Sequence, residues 1–160
     1  MLKYETLANQ AHEFTRGVDA HEVACRKLVL AIVNGYAEYL GCDSALMVRI
    51  PINEDLYPVE EAVAFDANFP LVHGLDGYWY FGFRVILRKP MVLDFNFVSA
   101  VLGVNNIEGQ PAVRLGTTDI RPSSIDAQGL ASLFDDLYQR SMALCAGPVH
   151  MPLRPIGFVR

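Results

Sequence analysis

Apolar side chains recur at helical spacing through residues 3–40, at alternate positions through most of 44–116, and at helical spacing again over 130–145. Residues 3–16 read as a rather polar first helix that Gly17 breaks. Asp19 then stands at an N-cap with Glu22 three residues on, the spacing at which two acidic side chains satisfy the exposed amides of a new helix. That second helix runs to about Leu40 and stops at Gly41, which takes the left-handed conformation without strain. Cys25, Leu28, Val29, Ile32, Val33, Tyr36, Tyr39 and Leu40 fall on one arc, opposite a narrow stripe of Lys27, Asn34 and Glu38. The arc is wider than the ~100° of an ordinary surface helix. Such a helix is expected to be covered from two sides, by a sheet and by the first helix or a second subunit.

Strand-like alternation follows. Residues 44–52 place Leu46, Val48 and Ile50 on one face, with Ala45, Met47 and Arg49 on the other. Residues 59–65 alternate in the same way, with Val63 and Phe65 expected inward. The loop 66–77 carries Phe69, Leu71, Val72 and Leu75, enough apolar surface to pack it down. A shorter strand over 111–116 comes after a turn at 105–111. A last helix begins near Ser124 or Asp126, repeats Leu130, Leu133, Phe134, Leu137, Leu144 and Cys145, and ends at Gly147-Pro148. Pro152 and Pro155 keep 147–160 from being helical, so an extended arm or edge strand is expected. These elements imply one α+β domain over 1–160, a mainly antiparallel sheet of about five strands with two N-terminal helices and one C-terminal helix packed on it.

The segment 77–98 holds the only tryptophan and four of the nine phenylalanines, which makes the face each ring takes the central question. Successive strand side chains alternate faces. Trp79, Phe81, Phe83, Val85 and Leu87 therefore share one face, and Tyr78, Tyr80, Gly82, Arg84, Ile86 and Arg88 the other. In the next strand Leu93, Phe95 and Phe97 alternate with Val92, Asp94, Asn96 and Val98. Bringing both sets of rings to one face requires a hairpin with Lys89-Pro90-Met91 in an odd-length turn, pairing Val85 with Phe95, Phe83 with Phe97 and Leu87 with Leu93. The opposite face then presents Tyr78, Tyr80, Arg84, Arg88, Asp94 and Asn96, a Tyr- and Arg-rich set of the kind enriched at binding hot spots. Those six are the candidate binding residues.

Composition narrows the partners. The chain is 52% apolar and 19% charged, against about 25% charged in an ordinary domain, so part of its apolar surface is expected to be covered by another subunit. A net charge of −5 argues against nucleic acid and anionic membranes, both of which attract a positive field. The run "YFGFRV" has a Gly-aromatic pattern, but Trp79-Tyr80 stands where an RNA-reading strand needs a basic residue and a glycine. The longest apolar run, 28–33, falls far short of the ~20 residues that span a bilayer, and the first ten residues lack the apolar core of a secretion signal. Three cysteines at 25, 42 and 145 make no disulfide framework, so a reducing cytoplasm is the expected setting.

Candidate chemistry is sparse. "HEVAC" (21–25) is one residue type from a zinc-binding helix motif, but Cys25 turns into the core and no third ligand follows, so no metal and no cofactor is expected. His73, beside Asp76 in the long loop, is the one catalytic candidate, as a general base. His150 falls in the arm. There is no phosphate-binding glycine loop and no nucleophile elbow. The resulting expectation is a non-catalytic cytoplasmic interaction protein that self-associates and binds another protein, in the manner of an adaptor or chaperone. The alternative is a small-molecule-binding protein or enzyme with a pocket between the sheet and the 66–77 loop, using His73 and Arg84 as polar handles.

Overall fold

The computed structural model describes residues 2–56, 63, 65, 69–89, 91, 95–147 and 156–157. Among them are two α-helices, α1 (Leu2–Leu40) and α2 (Ala131–Cys145). The six strands are β1 (Met47–Ile50), β2 (Val72–His73), β3 (Trp79–Arg88), β4 (Phe95–Ile107), β5 (Gln110–Leu115) and β6 (Thr118–Ile120). Every strand pair is antiparallel in an open sheet of order β1-β3-β4-β5-β6, with β2 also on β3. The chain is thus mixed helix and antiparallel sheet, with two helices among the described residues rather than three.

The first two expected helices are one. Gly17 does not break α1: space around it is open, and a glycine inside a helix costs only ~1 kcal/mol relative to alanine. Asp19 therefore caps nothing, and Glu22 pairs forward with Arg26 at 2.7 Å instead of reaching back. Gly41 ends the helix with φ at 71°. Residues 44–46, expected as strand, form a 3-10 turn capped by the Asp43 carboxylate, which accepts from the Ala45 amide at 2.9 Å.

Between β3 and β4 the register departs from the odd-turn expectation. Val85 pairs with Val98, Phe83 with Ala100, Phe81 with Leu102 and Trp79 with Val104. Arg88 faces Phe95, so the six residues 89–94 separate the paired ends. The rings of β3 do point inward, and Phe81 and Phe83 are buried. From β4, however, the inward set is Val98, Ala100, Leu102 and Val104. Phe97 lies on the outer face, where the Arg84 guanidinium covers its ring at 3.9 Å. A cation over an aromatic face is favourable, and this contact relieves the need to bury Phe97 inside.

The main core lies between the inward sheet face, the second half of α1 and α2. Cys25, Val29, Ile32, Leu102, Val104, Leu133 and Phe134 are among its fully buried members. Tyr36 of α1 meets Phe134 of α2 at 5.7 Å and Phe83 of the sheet at 6.2 Å. Phe69 from the long loop is fully buried and Phe65 packs edge-on against it at 5.4 Å. Val63 bridges Arg49 through backbone hydrogen bonds of 2.7 and 2.8 Å, but its side chain is exposed, not inward. Leu75 is exposed as well. The rest of 59–65 and most of the 147–160 arm, His150 included, lie outside the described residues. Ile156 takes a parallel bridge to Ala100 and is buried, on the stretch of β4 that β5 does not reach.

Candidate functional site

Four of the six candidate binding residues share the outer face: Tyr78, Tyr80, Arg84 and Arg88. Asn96 pairs with Leu87 and so lies on the opposite face, where it is exposed. Asp94 lies outside the described residues. The face itself is largely covered. Tyr78 and Tyr80 are buried in a second cluster with Val101 and Ala112, against which Ile52, Leu56, Val72 and Ile107 pack. Arg84 is half-buried and donates from Nε to Ser99 Oγ at 3.1 Å. Burial holds its guanidinium below its ordinary pKa.

A charged network finishes this face. Asp76, in the turn before β3, accepts from the Tyr80 hydroxyl, from the Tyr78 amide at 3.0 Å and from Arg114 Nη1 at 2.5 Å. Arg114 also donates from Nε to Asp119 Oδ1 at 2.7 Å and stacks 4.2 Å above the Tyr78 ring. Burial, then the Asp76 carboxylate, pushes the Tyr80 hydroxyl up to about 12. Burial also pulls Asp76 upward, but the Tyr80 hydroxyl, the Tyr78 amide and Arg114 outweigh it, leaving the carboxyl below its ordinary value. Hydrogen bonding to Asp119 raises Arg114. Each charge here is engaged by a neighbour, so the network locks the turn to the sheet.

His73 lies elsewhere. It pairs with Trp79 across β2 and β3, and the two rings are 4.5 Å apart on the face toward α1. Arg84 is on the other face, so no single pocket uses both as handles. Instead His73 and Trp79 line a cleft of about 400 Å³ with Phe14, Gly17, Val18 and His21 of α1. His21 Nε2–H donates to Asn105 Oδ1 at 2.8 Å, and the Asn106 amide donates to the same oxygen, which fixes that atom as an acceptor. The remaining nitrogen, Nδ1, faces Cys25 Sγ at 3.9 Å. Burial pushes the Cys25 thiol up to about 11, away from the thiolate that ligation or attack needs. No group of three or more His, Cys, Asp or Glu among the described residues could hold a metal ion.

The cleft marks where α1 leaves the body of the fold. From Leu2 to Ala20 every residue is exposed, and from Cys25 the inward side is buried. That projecting half is ~28 Å long at 1.5 Å per residue. It bares Tyr4, Leu7, Phe14 and Val18, at 74%, 69%, 71% and 42% exposure. The split into two helices concealed this stripe, because a wheel broken at Gly17 never sets Phe14 against Cys25. One uninterrupted wheel from 2 to 40 aligns them.

None of the described helices is long and apolar enough to cross a membrane. Comparison with protein-family models, with curated proteins and with solved structures finds no match.

Proposed function

We propose that the chain is a non-catalytic interaction protein that self-associates through the projecting half of α1 and so presents a surface to another protein. The observation behind this reading is the bare stripe of Tyr4, Leu7, Phe14 and Val18 on a helix segment whose every residue is exposed. Water on two aromatic rings, a leucine and a valine is costly, and contiguous apolar surface of this kind marks interaction sites. The low charged fraction of 19% supports the same reading, as does a Tyr- and Arg-rich outer face whose polar groups are already engaged. Light scattering at micromolar concentration on the chain and on Phe14→Asp tests it. A multimer that Phe14→Asp reduces to 17.8 kDa is the expected result; a monomer at every concentration ends the proposal.

The cleft supports a second reading, a small-molecule site with His73 and Trp79 against the ligand, since apolar concavities of this volume with a few polar groups take ligands. His73→Ala separates the two. It leaves the mass of the assembly unchanged under the first reading and abolishes ligand-induced changes in Trp79 emission under the second.

A further inference from the structure

The bare stripe on α1 is collinear with the stripe that the sheet covers. At ~100° per residue, Tyr4, Leu7, Ala11, Phe14 and Val18 occupy an arc of ~80°, and Cys25, Val29, Ile32 and Tyr36 continue the same arc into the core. The steps between the first five alternate between three and four residues, the spacing of a coiled-coil seam. We infer that this segment pairs antiparallel with the same segment of a second copy, and that Tyr4 of that copy enters the cleft between Phe14, Val18, His21, His73 and Trp79. The inference rests on the self-association proposed above and specifies its geometry.

Orientation follows from where the arc is already filled. A parallel mate would run on past Val18 into the volume that the first copy's own sheet occupies, because that sheet covers the arc from Cys25 onward. An antiparallel mate instead brings the first described turn of its α1 to the cleft and keeps its own sheet at the far end of the pair. A two-fold pair also requires a surface that matches its own reverse. One antiparallel register sets Phe14 against Ala11, Leu7 against Val18 and Tyr4 against His21, each a large side chain against a smaller or polar one. Tyrosine suits the last position, because its ring has apolar neighbours in Val18 and Trp79 while its hydroxyl needs a polar group.

The flanks and the area agree. Ala8, Thr15 and Gly17 border the seam and are small enough for helix axes to approach to 8–10 Å, while Lys3 borders it with a charge at its outer end. Glu13 and Arg16, on the back of the helix, pair with each other. The four large bare side chains offer roughly 500 Å² on each copy, and the ~1,000 Å² of a pair reaches what a specific interface needs.

Cysteine pairing in a Cys42→Ser, Cys145→Ser background tests the geometry, Cys25 being buried. The expected result is a covalent dimer on oxidising Leu7→Cys with Val18→Cys, and none with Leu7→Cys alone. Trp79 is the only tryptophan, so its emission reports the cleft. Dilution of the chain to monomer should shift it to longer wavelength, and Tyr4→Ala should produce that shift without dilution. Cross-linking through Leu7→Cys alone would mean parallel helices, and a dimer whose Trp79 emission ignores both dilution and Tyr4→Ala would leave the cleft empty. Either result overturns the inference while self-association stands. A 17.8 kDa species throughout, including one that binds a foreign amphipathic helix, overturns the second copy altogether.

Discussion

Replacing Gly103 with alanine tests the β3–β4 register by the sign of its effect. Gly103 pairs with Tyr80, and a Cβ there would stand 2.8 Å from Tyr80 Cε1, 3.0 Å from Cζ and 3.3 Å from Tyr78 Cβ. The ring has little room to yield. A Cβ on Gly74 would meet its other edge at 2.7 Å, and its hydroxyl is held by Asp76. Overpacking a site of this kind costs ~1–3 kcal/mol. Replacing a strand glycine returns ~0.5–1 kcal/mol through reduced backbone entropy in the unfolded chain. The net expectation is a loss of up to ~2.5 kcal/mol. At ~2–4 °C per kcal/mol for a chain of this size, the midpoint should fall by up to ~10 °C. Urea unfolding followed by far-UV circular dichroism and Trp79 emission measures it, with Tyr80→Leu in the same chain expected to relieve most of the loss. In the odd-turn register Tyr80 would face Ala100, and a methyl at 103 would meet no ring. A Gly103→Ala chain more stable than the parent would therefore refute the pairing.

Asp76 carries a depressed pKa in the fold, so its contribution is complete above the ordinary carboxylate value of ~3.9 and is lost as pH falls through the lower folded value. Acid unfolding of the parent should steepen there, and Asp76→Asn should flatten that limb while lowering stability at neutral pH. Tyr80 runs the other way: its raised pKa makes its contribution complete below ~10 and lost as pH rises towards about 12, so Tyr80→Phe should reduce the alkaline loss seen by circular dichroism, Tyr36 and Tyr39 being raised as well. With a thiol reagent at pH 8, Cys145, which is exposed, should react at once, and Cys25, fully buried with its thiol pushed up to about 11, only on unfolding. Gly17→Ala, at a position with open space around it, should raise far-UV helicity in dilute solution by removing a helix cost of ~1 kcal/mol.

What the sequence made legible follows from which signals are local. The faces of β3 are readable because Trp79, Phe81, Phe83 and Val85 alternate with Tyr80, Gly82 and Arg84 in one continuous strand. β4 is not, because both of its faces are apolar: Val98, Ala100, Leu102 and Val104 point to the main core while Val101 joins the outer cluster. Parity then rested on the large rings, and Phe97 sits outside only because Arg84 and Ser99, far from it in sequence or not aromatic themselves, make that position tolerable. Tyr78 and Tyr80 looked available for binding, yet Arg114 and Asp119 close over them from β5 and β6, strands 30 or more residues away. The single helix was missed for the opposite reason. Local capping spacing at Asp19 and Glu22 and a lone glycine outweigh a longer pattern, the arc from Tyr4 to Tyr36 that His21 and Glu22 alone interrupt.

That arc also explains why assembly and helix formation are one event in the proposed function. The docked half of α1 supplies a nucleus, since Cys25 through Tyr36 is fixed by the sheet and α2. Beyond it each added residue gains little, because propagation in water is close to neutral and a bare helix of this length is marginal. Gly17 lies at the root of the projection, so every residue before it forms helix only after crossing that glycine's cost. Local bonds give little help: the Thr6 and Thr15 hydroxyls bond back to the Leu2 and Ala11 carbonyls, a pattern that does not favour helix. In the proposed assembly the free energy that holds Leu2–Arg16 helical comes from covering Tyr4, Leu7, Phe14 and Val18. A partner helix provides that cover along its whole length, whereas a small molecule in the cleft reaches only its last turn. For this reason the projecting half of α1 is better suited to pairing than to gating a pocket.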